Sequence, residues 1–199
     1  MRRPIQFDLF MKPEYVSICM IRRELNSIPD YTLPSSFTFK WYQPGDEEHW
    51  LDIQRRADQY NQITPALFER QFNNDTQALA ARQCFIFDGE EQPIGTATAW
   101  FDPSYQGQEY GRVHWVAIVP ERQRQGLADP LLTMICRRLR ELGHERAYLT
   151  TAPERIPAIN LYLKFGFVPE VRSDVELRAW KGIEETLGRT FLPPIVGRD

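Results

Sequence analysis

Apolar side chains recur along the chain with a period near two in some segments and near 3.6 in others, and the two rhythms predict strands and helices respectively. Residues 15–21 read as a strand, followed by a turn-rich stretch containing Pro29, Asp30 and Pro34. Residues 37–41 alternate as a second strand, and Pro44-Gly45-Asp46 leads into a helix carrying Trp50, Ile53 and Ala57 at helical spacing. Thr64-Pro65 supplies a cap and a first-turn proline for a helix running through Leu67 to Phe72. Residues 84–87 and 94–100, separated by a polar turn at Asp88-Gly89, predict two antiparallel strands. The Gly/Pro/Tyr/Gln-rich residues 102–111 read as a loop.

Residues 112–119 are almost wholly apolar, which suits a central strand buried on both faces, and Pro120 ends it. Leu131, Ile135, Leu139 and Leu142, with Ala128, Leu132 and Cys136 beside them, form an apolar stripe that predicts an amphipathic helix over 127–142, stopped by Gly143. A strand at 147–151, a short helix over 157–165, a turn at Gly166-Phe167-Val168 into another strand, and a final strand at 175–180 complete the pattern. Antiparallel runs first, then strands alternating with helices, predict an α/β fold built on one mixed sheet. The expected organisation is an N-terminal extension with one strand over 1–35, a main domain over 36–181, and a tail over 182–199.

Composition narrows this picture. A chain of 199 residues, 42% apolar and 26% charged, has the balance of one folded domain. The net charge of -3 argues against binding nucleic acid by phosphate neutralisation and leaves only local basic patches for a small anion. Cys19, Cys84 and Cys136 have no metal-type spacing and each sits in an apolar run, which points to a reducing, cytoplasmic setting. His49, His114 and His144 are dispersed, so no metal is expected. The N-terminus lacks a signal-like apolar core and no stretch approaches the roughly 18 apolar residues of a membrane span, so no membrane association is expected. The N-terminal strand is free to pair across a homodimer.

The segment after Pro120 carries the most specific chemistry. A diphosphate is held economically by backbone N–H groups converging at a helix N-terminus, where unpaired donors and the positive dipole end face the anion. Glycine at 126 and a small residue at 128 let the backbone approach phosphate oxygens, while Arg122, Arg124 and the amides of Gln123 and Gln125 add donors. Pro130, within the first helical turn, forfeits no intrahelical bond. Alone, Gly126 reads equally well as a turn residue before a helix.

The wider spacing separates these readings. Gln123, Gly126 and Ala128, behind Ile118-Val119-Pro120, are followed by Ala158, Leu161-Tyr162 and Gly166-Phe167. In these two blocks, spanning roughly residues 110–170, the chain resembles the GNAT superfamily of acyl-CoA-dependent N-acyltransferases. The resemblance implies a mixed, mostly antiparallel central sheet flanked by helices on both faces, with acetyl-CoA as acyl donor. It places Val116, Ala117 and Ile118 alongside the pantetheine arm, with the amide near Ile118 polarising the thioester carbonyl. Gln123, Arg124, Gln125, Gly126, Leu127 and Ala128 fall on the pyrophosphate; Asn160, as a nearby stand-in for the family's asparagine, and Phe165 are the expected cofactor contacts of the second block. Two departures stand out: Ala128 replaces the commoner glycine, and Arg155 stands where the family often has an asparagine.

Amide formation from a thioester needs an unprotonated amine, a donor for the developing oxyanion, and a proton for the departing thiolate. His114, four residues before Ile118, occupies the position where some relatives with histone-type substrates carry a catalytic glutamate, and a side chain of pKa near 6.5 accepts protons at pH 7. The competing reading is a hydrogen-bonded histidine in a mostly apolar strand. Glu109 and Glu154 are further options for the base. Tyr162 falls where the family places a tyrosine facing the CoA sulfur, the role of general acid. Trp100, Phe101, Tyr105 and Tyr110 border the 102–111 segment as a candidate wall of the acceptor pocket. The reading is therefore an N-acetyltransferase acting on a small-molecule or protein amine; a non-catalytic acyl-CoA-binding sensor of the same fold is the alternative.

Overall fold

In the computed structural model, which describes residues 16–192, the apolar runs form strands β1 (Ile18–Arg22), β2 (Thr38–Trp41), β3 (Gln83–Phe87), β4 (Pro93–Tyr105), β5 (Gln108–Ile118), β6 (Ala147–Thr151) and β7 (Val168–Glu170). The helices are α1 (Glu47–Ala57), α2 (Pro65–Phe72), α3 (Thr76–Arg82), α4 (Ala128–Glu141), α5 (Ile156–Lys164) and α6 (Asp174–Leu187). Tyr15 of the first expected strand lies outside the described residues. The strands make one sheet in the order β2-β3-β4-β5-β6-β1-β7. Every neighbouring pair is antiparallel except β5 and β6.

Helices cover both faces, as strand alternation requires when the sheet is buried on each side. On one face, Phe72 of α2 meets Trp100 and His114, and Trp50 of α1 meets Trp115. On the other, α4 packs over β4 and β5 and inserts Leu131, Leu132, Ile135 and Leu139 into the core. Each such side chain removed from water contributes about 1.5–3 kcal/mol. Gly111 is where α4, β5 and the start of β6 converge: a Cβ there would lie 2.9 Å from Leu139 Cδ2 and 3.2 Å from the Arg146 carbonyl oxygen.

Four elements differ from the pattern-based reading. The expected loop at 102–111 is the far end of a long hairpin, in which Gln106 (φ 53°) and Gly107 (φ 75°) make a tight two-residue turn. Residues 175–180, read as a strand, lie inside α6: Ser173 caps its N-terminus by accepting from the Glu176 amide, Trp180 and Ile183 face inward at helical spacing, and left-handed Gly188 ends it. That helix also crosses the expected boundary of the tail at 182. Helix α3 had no clear periodic signal and runs directly into β3. Finally, β1 pairs with β6 on one side and β7 on the other, so both its edges are used within the chain rather than left for a homodimer. Buried Arg22 at its end donates to the carbonyls of Glu24, Ser27 and Phe165, replacing hydration with three backbone acceptors.

Gly111→Val is expected to lower unfolding free energy by about 1–3 kcal/mol through overpacking between Leu139 and a fixed carbonyl. Urea denaturation with an unchanged m-value checks this; wild-type stability in the variant contradicts the close approach.

Candidate active site

The parallel pairing of β5 with β6 lasts only from Gly111↔Ala147 to Arg112↔Tyr148. Beyond it the two strands part, so the β6-facing edge of Val116, Ala117 and Ile118 has no strand partner, while Ala117 and Ile118 stay paired with Thr96 and Gly95 of β4 on the other side. A bulge at Trp115, whose φ of 49° is rare for a bulky residue, bends β5 at the parting point. Three contacts hold that conformation. Gln54 of α1 donates to the Trp115 carbonyl at 3.0 Å, the Trp115 indole donates to Gln71 at 3.1 Å, and Trp50 packs edge-on against the ring.

The strand then runs into the segment at 120–127. Arg124 (φ 60°) and Gly126 (φ 75°) both adopt left-handed backbone, which turns the chain sharply before α4. The N–H groups of Arg124, Gln125, Gly126 and Leu127 take part in none of the hydrogen bonds among the described residues, and a Cβ on Gly126 would meet nothing within 4 Å. This is an open cradle of unpaired donors at a helix N-terminus, and it fits a diphosphate. Gln123 turns its side-chain amide back onto the Ile118 carbonyl at 2.9 Å, tying the cradle to the strand end, and Gln125 donates likewise to the Glu121 carbonyl. Arg122, expected as a phosphate donor, is instead paired with Asp88 at 2.7 Å, and Glu121 with Arg56 at 3.2 Å, so these two residues anchor the loop. Asp88 is held below the usual carboxylate range by the Gln92 and Glu90 amides and by Arg122. Arg124 remains exposed. Asp129 in the first turn of α4 would oppose an anion, but Lys164 pairs with it at 2.9 Å.

His114 pairs with Thr98 across the β4–β5 ladder and is buried against Phe72 and Trp115. Burial, with the adjacent Arg112 cation, holds its imidazole well below 6.5, so it is neutral at pH 7, and its Nε2 is sealed without a hydrogen-bond partner. Tyr162 on α5 is buried beside Phe167. Burial pushes its phenol up to about 12, against a downward pull from Arg155.

His114 and Tyr162 thus have different ring neighbours, and the other candidates scatter further. Glu109 pairs with His144 at 3.2 Å, away from the parting strands, and Glu154 is exposed. Phe165 is fully buried, with its ring near Tyr31, and the exposed Asn160 accepts from Arg189 at 3.1 Å. The four aromatics expected as one wall do not assemble into one. Trp100 lies under α2, Phe101 stacks on His144 beneath Arg82, and Tyr105 and Tyr110 join Tyr148 over β1. Burial raises the thiols of Cys19, Cys84 and Cys136 to about 12, which suits packing rather than reactivity. Among the described residues no group of three or more His, Cys, Asp or Glu side chains could hold a metal ion, and no helix is long and apolar enough to cross a membrane. Sequence reasoning missed Gln54, Gln71 and Asp58, which shape the site from α1, α2 and the loop between them; single polar residues carry no periodic or motif signal.

Comparison with known proteins adds a relationship to this geometry. The acetyltransferase (GNAT) family model matches residues 36–167. A mycothiol acetyltransferase from Arthrobacter sp. (strain FB24) is 28% identical over 152 residues, covering 70% of this chain and 45% of that protein. The chain thus spans less than half the length of the curated relatives it matches. A GCN5-related N-acetyltransferase from Sphaerobacter thermophilus superposes with a TM-score of 0.65 at 16% identity, covering 77% of this chain and 48% of that one. A chain of the NatC complex bound to Gag peptide and CoA gives a TM-score of 0.58 at 21% identity, over 69% of this chain and 87% of its own. At such identities the structural likeness concerns the fold.

Two outcomes follow from the geometry. Acetyl-CoA at a hundred times its dissociation constant should stabilise the protein by about 2.7 kcal/mol, and Gly126→Glu, which puts an anionic side chain on left-handed backbone in the cradle, should abolish that protection. Unchanged protection in a thermal melt overturns the cradle. The second outcome is a pH dependence. A histidine held below 6.5 in the folded state takes up its proton on unfolding, so its contribution to stability is complete above pH 6.5 and is lost as pH falls from there. His144 is also lowered and acts with the same sign. His114→Gln should therefore flatten, without removing, the fall in melting temperature below pH 6.5; an unaltered slope assigns the effect elsewhere.

Proposed function

Because the chain belongs to the acetyltransferase (GNAT) family, we propose that it is an N-acetyltransferase that moves an acetyl group from acetyl-CoA to a primary amine by direct attack in a ternary complex. One observation carries the proposal: the unpaired edge of Val116, Ala117 and Ile118 leads straight into the open cradle of amides from Arg124 to Leu127. An extended pantetheine arm can add to such an edge as a strand does, while the cradle takes the pyrophosphate. When bound, acetyl-CoA supplies an activated acyl group whose leaving sulfur is weakly basic.

His114 serves as proton acceptor. Its depressed pKa keeps it unprotonated at neutral pH, although it also makes the imidazole a weak base. Tyr162 donates a hydrogen bond toward the sulfur. Giving up its proton entirely, from about 12 to a thiolate near 8.5, is uphill by roughly 5 kcal/mol, so stabilisation of the leaving group through a retained O–H bond is the better description. The acceptor is a small-molecule amine or a protein amino group, and the setting is cytoplasmic. The sealed Nε2 of His114 favours a second reading, a non-catalytic acyl-CoA-binding sensor.

A thiol-release screen over amino acids, polyamines, aminoglycosides and peptides tests the choice. Turnover with at least one amine is expected, and Tyr162→Phe should lower kcat by about a hundredfold while leaving acetyl-CoA protection intact. Binding without turnover across the panel, with Tyr162→Phe silent, assigns the sensor role instead.

A further inference from the structure

Arg155 and Asp58 come from opposite sides of the gap between β5 and β6. Asp58 follows α1, whose C-terminal end is fixed to the β5 side: Gln54 bonds the Trp115 carbonyl, and Arg56 pairs with Glu121 just beyond β5. Arg155 follows β6 and stands at the N-cap position of α5, the helix that carries Tyr162, where its carbonyl accepts from the Ile159 amide. The two side chains meet with Nη2 of Arg155 at 2.9 Å from an Asp58 carboxylate oxygen. They therefore join the two lips of the wedge beyond the point where strand pairing stops.

The geometry of this pair differs from that of an ordinary surface ion pair, which is worth little. The Asp58 side chain is only 2% exposed. Its carboxylate also accepts from the backbone amides of Tyr60 and Asn61 and from the Asn61 side chain, at 2.7, 3.0 and 2.9 Å. Those bonds fold the α1–α2 loop around one anion, whose pKa is held below the usual range despite the opposing cost of burial. The Arg155 guanidinium lies over the Tyr60 ring, 4.9 Å from its centroid, so the same cation grips the loop through both a carboxylate and an aromatic face. Tyr162 is seven residues after Arg155, two turns along one helical face, so whatever fixes Arg155 also fixes the start of the helix presenting that phenol.

We propose that Arg155 is a positioning residue: its bridge to Asp58, backed by Tyr60, straps the α1–α2 loop to the N-terminus of α5 across the wedge and retains the acyl-CoA arm between β5 and β6. The inference rests on the cofactor placement given above and extends it to the control of cofactor escape. It also gives a role to the residue that stands where the resemblance calls for an asparagine.

Dissociation of acetyl-CoA, followed by competition with an excess of unlabelled cofactor in stopped flow, tests the strap without any acceptor. Arg155→Met and Asp58→Asn should each speed dissociation about tenfold, with the double variant no faster than either alone, and Arg155→Lys should recover part of the loss. Hydrogen exchange in residues 59–63 should rise in both single variants. Asp58→Asn keeps the oxygen that caps the loop; if it nevertheless fails to fold, the half-buried Arg155→Met and Arg155→Lys pair carries the test. Dissociation unchanged within twofold, or effects that add in the double variant, overturns the strap. A wild-type chain that retains acetyl-CoA but acetylates no amine overturns the transferase reading alone, whereas one that does not bind acetyl-CoA overturns both.

Discussion

Strand β5 pairs with β4 almost from end to end, yet with β6 it shares only the register from Gly111 to Arg112. Backbone N–H and C=O groups require partners, and a strand edge abandoned in the middle of a sheet would normally be a cost. Here the cost is met by rigid support from elsewhere. The bulge at Trp115 turns β5 away, and Gln54, Gln71 and Trp50 hold the bulge from the α1–α2 face. Strand β6 does not follow β5 and stays paired with β1 along its whole length. The gap is therefore a fixed consequence of the sheet's connectivity, and an unpaired edge within it is a surface able to recognise an extended amide-bearing chain.

Electrostatics around the gap follow the same division between support and site. Arg122 and Glu121, the charged residues nearest the strand end, are committed to Asp88 and Arg56 and thereby position the loop. Besides the exposed Arg124, the groups left without partners among the described residues of the loop are backbone amides, whose charge is partial and whose direction is set by the helix and two left-handed residues. Lys164 neutralises Asp129, which would otherwise weaken the positive end of α4. An anion bound as proposed would meet these oriented dipoles together with the exposed Arg124, and the fixed direction of the dipoles would limit the ordering entropy of binding.

The interior face toward α1 and α2 carries an unusual row. Gln83, Thr98 and His114 lie side by side on three neighbouring strands, and Gln83 donates to the Thr98 hydroxyl at 3.1 Å. Gln83 Oε1, His114 Nε2 and the nearby Arg112 Nε have no protein partner. Each such atom costs about 1–3 kcal/mol in a sealed interior. Three of them thus gather near the bulge that bends β5.

The chain's local features were legible in the sequence because their causes are local. An apolar run ended by Pro120, a glycine where the backbone must turn left-handed, and a helical stripe from Leu131 to Leu139 announce strand, cradle and helix within about thirty residues of one another. Residues 175–180 read as a strand for a complementary reason: a short segment with apolar positions satisfies a strand and a helix equally, and the inward packing of Trp180 and Ile183 decides for the helix. The end of the long hairpin was hidden in the same way, since polar and glycine residues at 102–111 become strand through pairing and through Tyr105 stacking on Tyr148. What only the tertiary structure decided are relations between distant residues: β1 between β6 and β7, the commitment of Arg122 to Asp88, and the meeting of Arg155 with Asp58 across 97 positions of chain. Periodicity and capping are set by neighbours along the chain, and so appear in its order of residues. A contact across a gap in a sheet depends on where the sheet opens, which no local run of residues specifies.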